Sequence, residues 1–411
     1  MSIIRVSHPT RKVNVRVQLP ASKSESNRAL ILNALSGNQI SIHNLSAARD
    51  TQKLTEALSS PEIKADVDDA GTAMRFLVAY FAATNQHKII TGSERMKERP
   101  LAPLINALSE IGFDIRCIEK EGFAPVEIVP VKSFNHLDNE VSIEGNISSQ
   151  FISALLMIAP FMPEGLKINF TTELSSQPYI DMTLNMLEKI GVNYAWGEGS
   201  ISIEPLPAVI QNQALTINGD WSSASYWYSI AFLADEAEIF LEGLKDDWNQ
   251  GDREVAEWMK RFGVTTEFRE EGALLRKEEV SYPHLMKMNF TENPDLAQTF
   301  AAMYAAKNVY CNFSGLDSLK IKETDRIAAL QSELRKMNVS FELAPRFDFY
   351  QMKGEFHFPA EVIHTFNDHR MAMSFAPLAL LGEIQIENPE VVQKSYPEFW
   401  NDLRKAGFEI K

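Results

Sequence analysis

Cysteine is nearly absent from this chain of 411 residues: there are two, Cys117 and Cys311, and neither sits in a Cys-x-x-Cys or His-rich setting. That speaks against a disulfide framework or a structural zinc site and fits a reducing compartment. Long apolar runs are missing too. The longest, near Phe151 to Met162, falls short of the ~20 residues a membrane-spanning helix needs. The opening Met1–Pro20 alternates polar with apolar residues and holds no signal-peptide core. A cytoplasmic protein without a membrane partner is therefore expected. Positive charge is in deficit, with 40 Lys and Arg against 55 Asp and Glu, a formal net charge of −15. Such a surface repels phosphate backbones, so no nucleic-acid partner is expected. No Gly-rich phosphate loop or dinucleotide fingerprint occurs. His364 and His369 lack the spacing of metal ligands, so no metal is expected.

What is present is the composition of an ordinary globular protein, 45% hydrophobic and 23% charged. The length exceeds one ordinary core, which makes two domains the natural division. A recurring unit organises the chain: an apolar helix, a short strand, an amphipathic helix ending in Gly or Asn, and a further strand. The apolar helices are predicted to begin near Ser26, Gly71, Ser148, Ser222, Asp295 and Asp368. They are apolar almost all round and should be buried. Their amphipathic partners are clearest at RPLAPLINALSEIG, QPYIDMTLNMLEKIG, REVAEWMKRFG, ETDRIAALQSELRKMN and PEFWNDLRKAG. The last five units recur every ~70–80 residues and the first is shorter. Six units suggest two domains of three.

The scarce cations gather at helix starts. Lys23, Ser24 and Arg28 open the first helix, Gly71 and Arg75 the second, and Ser148, Ser149 and Gln150 the third. Asp220, Ser222 and Ser223 open the fourth, Asp295 the fifth, and Asp368, His369 and Arg370 the sixth; Arg99, Lys322, Glu323 and Arg326 stand at the starts of partner helices. A helix N-terminus offers unpaired N–H groups and a partial positive charge, and Arg adds a fork matched to carboxylate or phosphate. Taken singly, a Ser or Asp here is an N-cap and an Arg a surface residue. Together, Arg28, Arg75, Arg326 and Arg370 sit against the helix dipole and call for an anion. These features point to an enzyme that holds two anionic small molecules and joins them.

The motifs LPASKSESNRALIL, DAGTAMRFL, ERMKERPL, ISSQFISALLMIAP, SSQPYIDMTL, NPDLAQTFAA, LKIKETDRI, FNDHRMAMSF and KSYPEFW run in order from Leu19 to Trp400. In this they resemble the 5-enolpyruvylshikimate-3-phosphate synthase family, the 3-phosphoshikimate 1-carboxyvinyltransferases; KETDR with DHRMAM is the specific combination. The resemblance implies an α/β fold of two similar domains. Each would hold three βαβαββ repeats with buried parallel helices inside sheets, an inside-out α/β barrel with the active site in the interdomain cleft. Residues 1–18 with 220–411 would form one domain and 19–219 the other.

The implied reaction transfers the enolpyruvyl group of phosphoenolpyruvate to the 5-hydroxyl of shikimate 3-phosphate by addition and elimination. Phosphate is released, one step before chorismate in aromatic amino-acid synthesis. No cofactor is required, and a monomer is expected. By motif, Lys23, Ser24, Arg28, Ser148, Ser149, Gln150, Ser176, Tyr179, Asp295, Ser318 and Lys322 would meet shikimate 3-phosphate. Lys23, Gly71, Arg99, Gln150, Arg326, Arg370 and Lys394 would meet phosphoenolpyruvate. Lys23, Asp295 and Glu323 would be catalytic, with Asp295 as proton acceptor and Glu323 exchanging a proton with the methylene carbon.

The chain departs from the family pattern at Ala21, Asp69, Phe76 and Ser318, where Gly, Asn, Pro and Asn are usual, and the stretch Asp50–Asp69 is short, as if a strand–turn–strand piece were trimmed. Two other readings remain open on the residues. One is the sister UDP-N-acetylglucosamine enolpyruvyl transferase, which would give Cys117 a role as proton donor. The other is a binding relic without catalysis.

Overall fold

The computed structural model describes residues 2–207, 214–344 and 346–411. Its chain contacts divide into two compact units, Met1–Ala21 with Asn218–Lys411, and Ser22–Ile217. The sequence reading drew the borders after residues 18 and 219.

In the unit Ser22–Ile217, Lys64–Asp66 pairs in parallel with Lys88–Thr91, which pairs antiparallel with Val126–Val129, which in turn takes Asp114–Cys117. Parallel neighbours require a crossover, and the helix Gly71–Ala83 supplies it. A second amphipathic helix, Ala102–Ile111, then leads to the antiparallel hairpin. This is one βαβαββ repeat. The next follows the same rule, with strands Glu140–Ile143, Leu166–Phe170, Ser200–Ile203 and Tyr194–Gly197 and helices Ser149–Ile158 and Gln177–Lys189. The third repeat is incomplete. Among the described residues Ser41–His43 pairs, in parallel, only with Ala214–Thr216. After the helix Arg49–Ser59 the chain runs directly into Lys64–Asp66, the first strand of the neighbouring sheet. The shortness of the Asp50–Asp69 stretch is thus the absence, among the described residues, of this repeat's hairpin; the helix Arg49–Ser59, not foreseen from sequence, takes the repeat's second-helix place.

The other unit repeats the plan three times. One sheet joins Lys12–Gln18, Glu236–Glu242, Gly272–Lys277 and Val264–Arg269; a second joins Leu285–Asn289, Tyr310–Ser314, Tyr350–Gly354 and Val339–Leu343. In the third, Ile363 bridges Ile386, and Ile3–Ser7 pairs antiparallel with both Ile384–Glu387 and Glu409–Ile410. The first strand of the chain therefore closes its last sheet.

The central helices are buried over most of their length, with mostly apolar side chains in Gly71–Ala83 and with polar ones such as Ser26, Asn27 and Arg28 buried as well in Lys23–Leu35. In Trp221–Leu233 only Ser222 is not fully buried. With Ala297–Ala306 and His369–Phe375 it forms a packed trio; Lys23–Leu35, Gly71–Ala83 and Ser149–Ile158 form the corresponding trio in the other unit. Each fully buried aromatic such as Trp227 or Phe232 contributes about 1.5–3 kcal/mol of burial, and truncating one to Ala costs ~3–5 kcal/mol. Amphipathic helices end where a left-handed residue follows, at Gly112 (φ 112°) and Asn338 (φ 59°).

The predicted starts hold for Gly71, Ser148 and Asp368. Three need correction. The first helix starts at Lys23 with Ser22 as cap. Ser26 lies inside it and its Oγ accepts the N–H of Ser46 at 3.0 Å. Asp220, not Ser222, caps the fourth. Asp295 sits in a 3-10 turn, Pro294–Leu296, ahead of the fifth and caps nothing.

Candidate active site

Sequence-predicted site residues fall in both units. In Ser22–Ile217 they stand on helix starts. Lys23 opens its helix and its Nζ lies 3.0 Å from Asp50 Oδ2. Arg28, one and a half turns on, is buried. Its Nε donates to Thr183 Oγ1 at 2.7 Å and its Nη1 to Ser24 O at 2.9 Å. Its Nη2 donates to Ser153 Oγ at 2.8 Å and Tyr179 O at 3.1 Å. All four acceptors are uncharged. Burial therefore pushes this guanidinium down to about 10, with Tyr179 and Glu25 only partly opposing. Phe76, the departure from the family's Pro, places its ring 5.3 Å from Arg28 Cζ.

Gly71 and Arg99 meet. A Cβ built on Gly71 would overlap Arg99 Nη1 and lie 2.8 Å from Cζ and Nη2. The glycine lets the Arg99 guanidinium approach closely; an added Cβ would have to displace that side-chain end. Arg99 is buried, and no carboxylate among the described residues pairs with it. Arg75 fixes its segment: Nη1 donates to Gly71 O and Nη2 to Pro100 O, each at 3.1 Å. Asp69 accepts a short hydrogen bond from the Ser93 hydroxyl. That hydroxyl also caps the helix Glu94–Lys97.

Ser148 caps the third helix and Ser149 is its first residue. Gln150 Nε2 donates to Thr72 Oγ1 at 3.4 Å, which links the third helix start to the second. Ser176 holds a left-handed conformation (φ 55°) just before the helix Gln177–Lys189. A non-glycine residue there costs about 1–3 kcal/mol unless its surroundings hold it, and such strain clusters at functional sites.

In the other unit the predicted residues form one ionic network. Arg326, fully buried, donates from Nε to Asp368 Oδ2 at 2.7 Å, from Nη1 to Asp295 Oδ1 at 3.0 Å and from Nη2 to Glu323 Oε2 at 2.9 Å. Burial alone would depress this guanidinium; Asp368, Glu323 and Asp295 outweigh it and hold it above its usual range. Arg370 donates from Nη2 to Asp295 Oδ2 at 2.9 Å and from Nη1 to Asp295 O at 3.0 Å. Lys322 Nζ lies 3.8 Å from Asp295, and Lys394 Nζ lies 3.9 Å from Glu323. Burial works to raise the Asp295 carboxyl. Arg370, Lys322 and Arg326 overcome it and hold the group well below the usual carboxylate range.

The anion that Arg326 and Arg370 call for at their helix starts is thus supplied by the protein itself. Asp368 serves twice, since its Oδ1 also accepts the Arg370 N–H at 2.8 Å. Ser318 lies half-buried in the 3-10 turn Asp317–Ile321 and joins none of these bonds.

Sequence reasoning passed over Asp50 as the partner of Lys23, the Ser153–Thr183 pair around Arg28, and Asp252. Asp252 is buried and takes the Ser222 hydroxyl. Burial and the nearby Asp295 push its carboxyl up to about 6 against the pull of Arg370. The acid in QGDR was the only available signal.

The family described as EPSP synthase (3-phosphoshikimate 1-carboxyvinyltransferase) matches residues 7–67 and 58–403. A 3-phosphoshikimate 1-carboxyvinyltransferase of Bacteroides fragilis is 45% identical over 406 residues, 97% of each chain. One of Haemophilus influenzae is 32% identical over 430 residues, again 97% of each. Among solved structures, an EPSP synthase from Acinetobacter baumannii superposes with a TM-score of 0.75 at 19% identity over the whole of both chains. The enolpyruvyl transferase NikO from Streptomyces tendae does so at 0.71 and 14%, covering 100% of this chain and 98% of that one. At those identities the structural likeness speaks for the fold alone, and that fold is the enolpyruvyl transferase one. The near full-length sequence matches carry the further step: this chain belongs to the EPSP synthase (3-phosphoshikimate 1-carboxyvinyltransferase) family.

Proposed function

We propose that this protein transfers the enolpyruvyl group of phosphoenolpyruvate to the 5-hydroxyl of shikimate 3-phosphate. The observation that carries the reading is the carboxylate pair Asp295 and Glu323, bridged by Arg326 and flanked by Lys322, Arg370 and Lys394. Addition–elimination needs a group that takes and returns a proton beside cations that hold a carboxylate and a phosphate.

In the addition, the 5-hydroxyl oxygen bonds to C2 of phosphoenolpyruvate while its proton passes to Asp295. The C2–C3 electron pair takes a proton from Glu323, making a methyl group and a tetrahedral ketal phosphate. In the elimination, the C–O bond to phosphate breaks as the departing phosphate takes up the proton held by Asp295, the methyl group returns a proton to Glu323, and the double bond re-forms. Against burial, Arg370, Lys322 and Arg326 hold Asp295 strongly ionised, which by itself makes a weak base. An incoming anion shares Arg326, Arg370 and Lys322, weakens their hold and raises its proton affinity. Lys23, Ser24, Arg28, Ser148, Ser149, Gln150, Ser176, Tyr179, Ser318 and Lys322 are assigned to shikimate 3-phosphate. Gly71, Arg99, Arg326, Arg370 and Lys394, with Lys23 and Gln150, are assigned to phosphoenolpyruvate.

The reading takes the protein as a cytoplasmic monomer that needs no metal or organic cofactor. Both cysteines are free thiols, and no described helix is long and apolar enough to cross a membrane. Cys117 ends the strand Asp114–Cys117, its Sγ accepting the Gly122 N–H at 3.2 Å, which favours packing over proton donation.

Turnover in deuterium oxide tests the chemistry. The reading expects deuterium at the methylene carbon of the product, and of recovered phosphoenolpyruvate only when shikimate 3-phosphate is present. Product formed with no label at that carbon contradicts a protonated tetrahedral intermediate.

A further inference from the structure

Ser222 and Asp252 stand outside the residues assigned to either substrate, yet they continue the ionic network. Asp252 lies in the 3-10 turn Gly251–Arg253, against the start of the helix Trp221–Leu233. Its neighbour Gln250 accepts the Trp221 N–H and donates to Gly219 O, both at 2.9 Å, so the turn is fixed on that helix start. Asp252 Oδ2 accepts a short hydrogen bond from the Ser222 hydroxyl, and Arg370 Nη2 donates to the same hydroxyl oxygen at 3.4 Å. The second oxygen, Oδ1, is buried with no hydrogen-bond partner among the described residues. A half-satisfied buried carboxyl is costly for a purely structural residue.

We infer that Asp252 is a positioning residue for the proposed enolpyruvyl transfer: through Ser222 it fixes the orientation of the Arg370 guanidinium beside the site where the anion binds. The direction of the relay follows from its donors. Ionised Asp252 can only accept, so the Ser222 proton points at it and the Ser222 lone pairs face Arg370. Once protonated, the acid can itself donate and the hydroxyl is free to turn.

The charged groups facing Asp252 are Asp220 at the start of Trp221–Leu233, Asp295 in the turn Pro294–Leu296 and Arg370 in His369–Phe375. Arg253 in its own turn is engaged by Asp246 and Glu257. Burial and the two acids favour the proton, Arg370 and the Ser222 hydroxyl oppose it, and the group is left near 6. The relay is therefore formed above about pH 6 and lost below it.

The inference rests on the proposed reaction and is tested by steady-state kinetics of the whole chain, varying phosphoenolpyruvate at saturating shikimate 3-phosphate between about pH 5 and 8. Asp252→Asn and Ser222→Ala should each lower kcat/KM for phosphoenolpyruvate about tenfold at pH 8, mainly through KM. The double variant should lose no more than either single one. The gap between wild type and Asp252→Asn should close below about pH 6. Additive losses, an unchanged KM, or a gap independent of pH overturn the inference while wild-type turnover stands. Wild-type protein that does not turn over this pair overturns the proposed reaction and this inference with it. Should Asp252→Asn fold poorly, Ser222→Ala decides the matter by the same KM and pH criteria.

Discussion

The two units neutralise their buried cations in opposite ways. In Ser22–Ile217, Arg28 is held by hydroxyls and carbonyls, and Arg99 has no carboxylate partner among the described residues. In the other unit, Arg326 alone touches three carboxylates, and Arg370 shares Asp295 with it. A buried cation without a counter-charge is a standing requirement for an anion from outside. A cation among carboxylates is already satisfied, and it also sets the proton affinity of those carboxylates. The difference assigns passive anion holding to the first set and proton chemistry, tuned by neighbouring charge, to the second. Lys23 belongs with the second kind although it lies in the first unit, because Asp50 pairs with it.

The sharpest way to break this comparison is to remove the acids. Glu323→Gln and Asp295→Asn should each lower kcat by about 10²–10⁴-fold with the protein still folded, the range for a general acid or base. A change confined to KM would mean that these carboxylates only bind. Stability separates the cations next. Arg326→Ala strands Asp295, Glu323 and Asp368 without a shared partner and should cost about 3–5 kcal/mol in denaturant unfolding. Arg99→Ala removes a charge that no carboxylate balances and should cost less than about 1 kcal/mol of stability. The same Arg99→Ala should cost about 2–5 kcal/mol of phosphoenolpyruvate binding. Equal stability losses for the two would erase the distinction between the units. Gly71→Ala, whose Cβ would overlap Arg99, should reproduce part of the Arg99→Ala binding defect by displacing the guanidinium, visible as a raised KM for phosphoenolpyruvate.

A further effect is in pH. Asp252, with its folded-state carboxyl raised to about 6, binds its proton more tightly when folded than when unfolded. Its contribution to stability is therefore present below the unfolded value of ~4 and is lost as pH rises to about 6. Relative to Asp252→Asn, wild type should lose up to about 3 kcal/mol across that window, read from chemical denaturation at several pH values. No loss, or a gain, would remove the raised acid from the account.

Much of the fold was legible because it is written in local signals. Ser148 and Asp368 cap their helices through their own side chains, and Gly112 ends one in the left-handed form. The helix Arg49–Ser59 was missed because its repeat lacks the hairpin that marked the others. Lys23 and Ser24 mark the opening of the first helix although its apolar run begins only near Ser26; the cap, Ser22, is the part that the sequence does not single out. The helix-start cations were legible as a set. Of their counter-charges only Glu323 is near in sequence to Arg326, whereas Arg326 finds Asp368 across 42 positions and Arg370 finds Asp295 across 75. Sequence periodicity reports which face of an element is buried, and says nothing of which carboxylate meets which guanidinium.

The central claim is the acceptor and donor pair, and phosphate release tests it most directly. Purified protein is given phosphoenolpyruvate with shikimate 3-phosphate or, separately, with UDP-N-acetylglucosamine, and free phosphate is followed. The account predicts release that requires shikimate 3-phosphate and falls by about 10²–10⁴-fold in Glu323→Gln. Release with the sugar nucleotide instead, or with neither acceptor from folded protein, would contradict it.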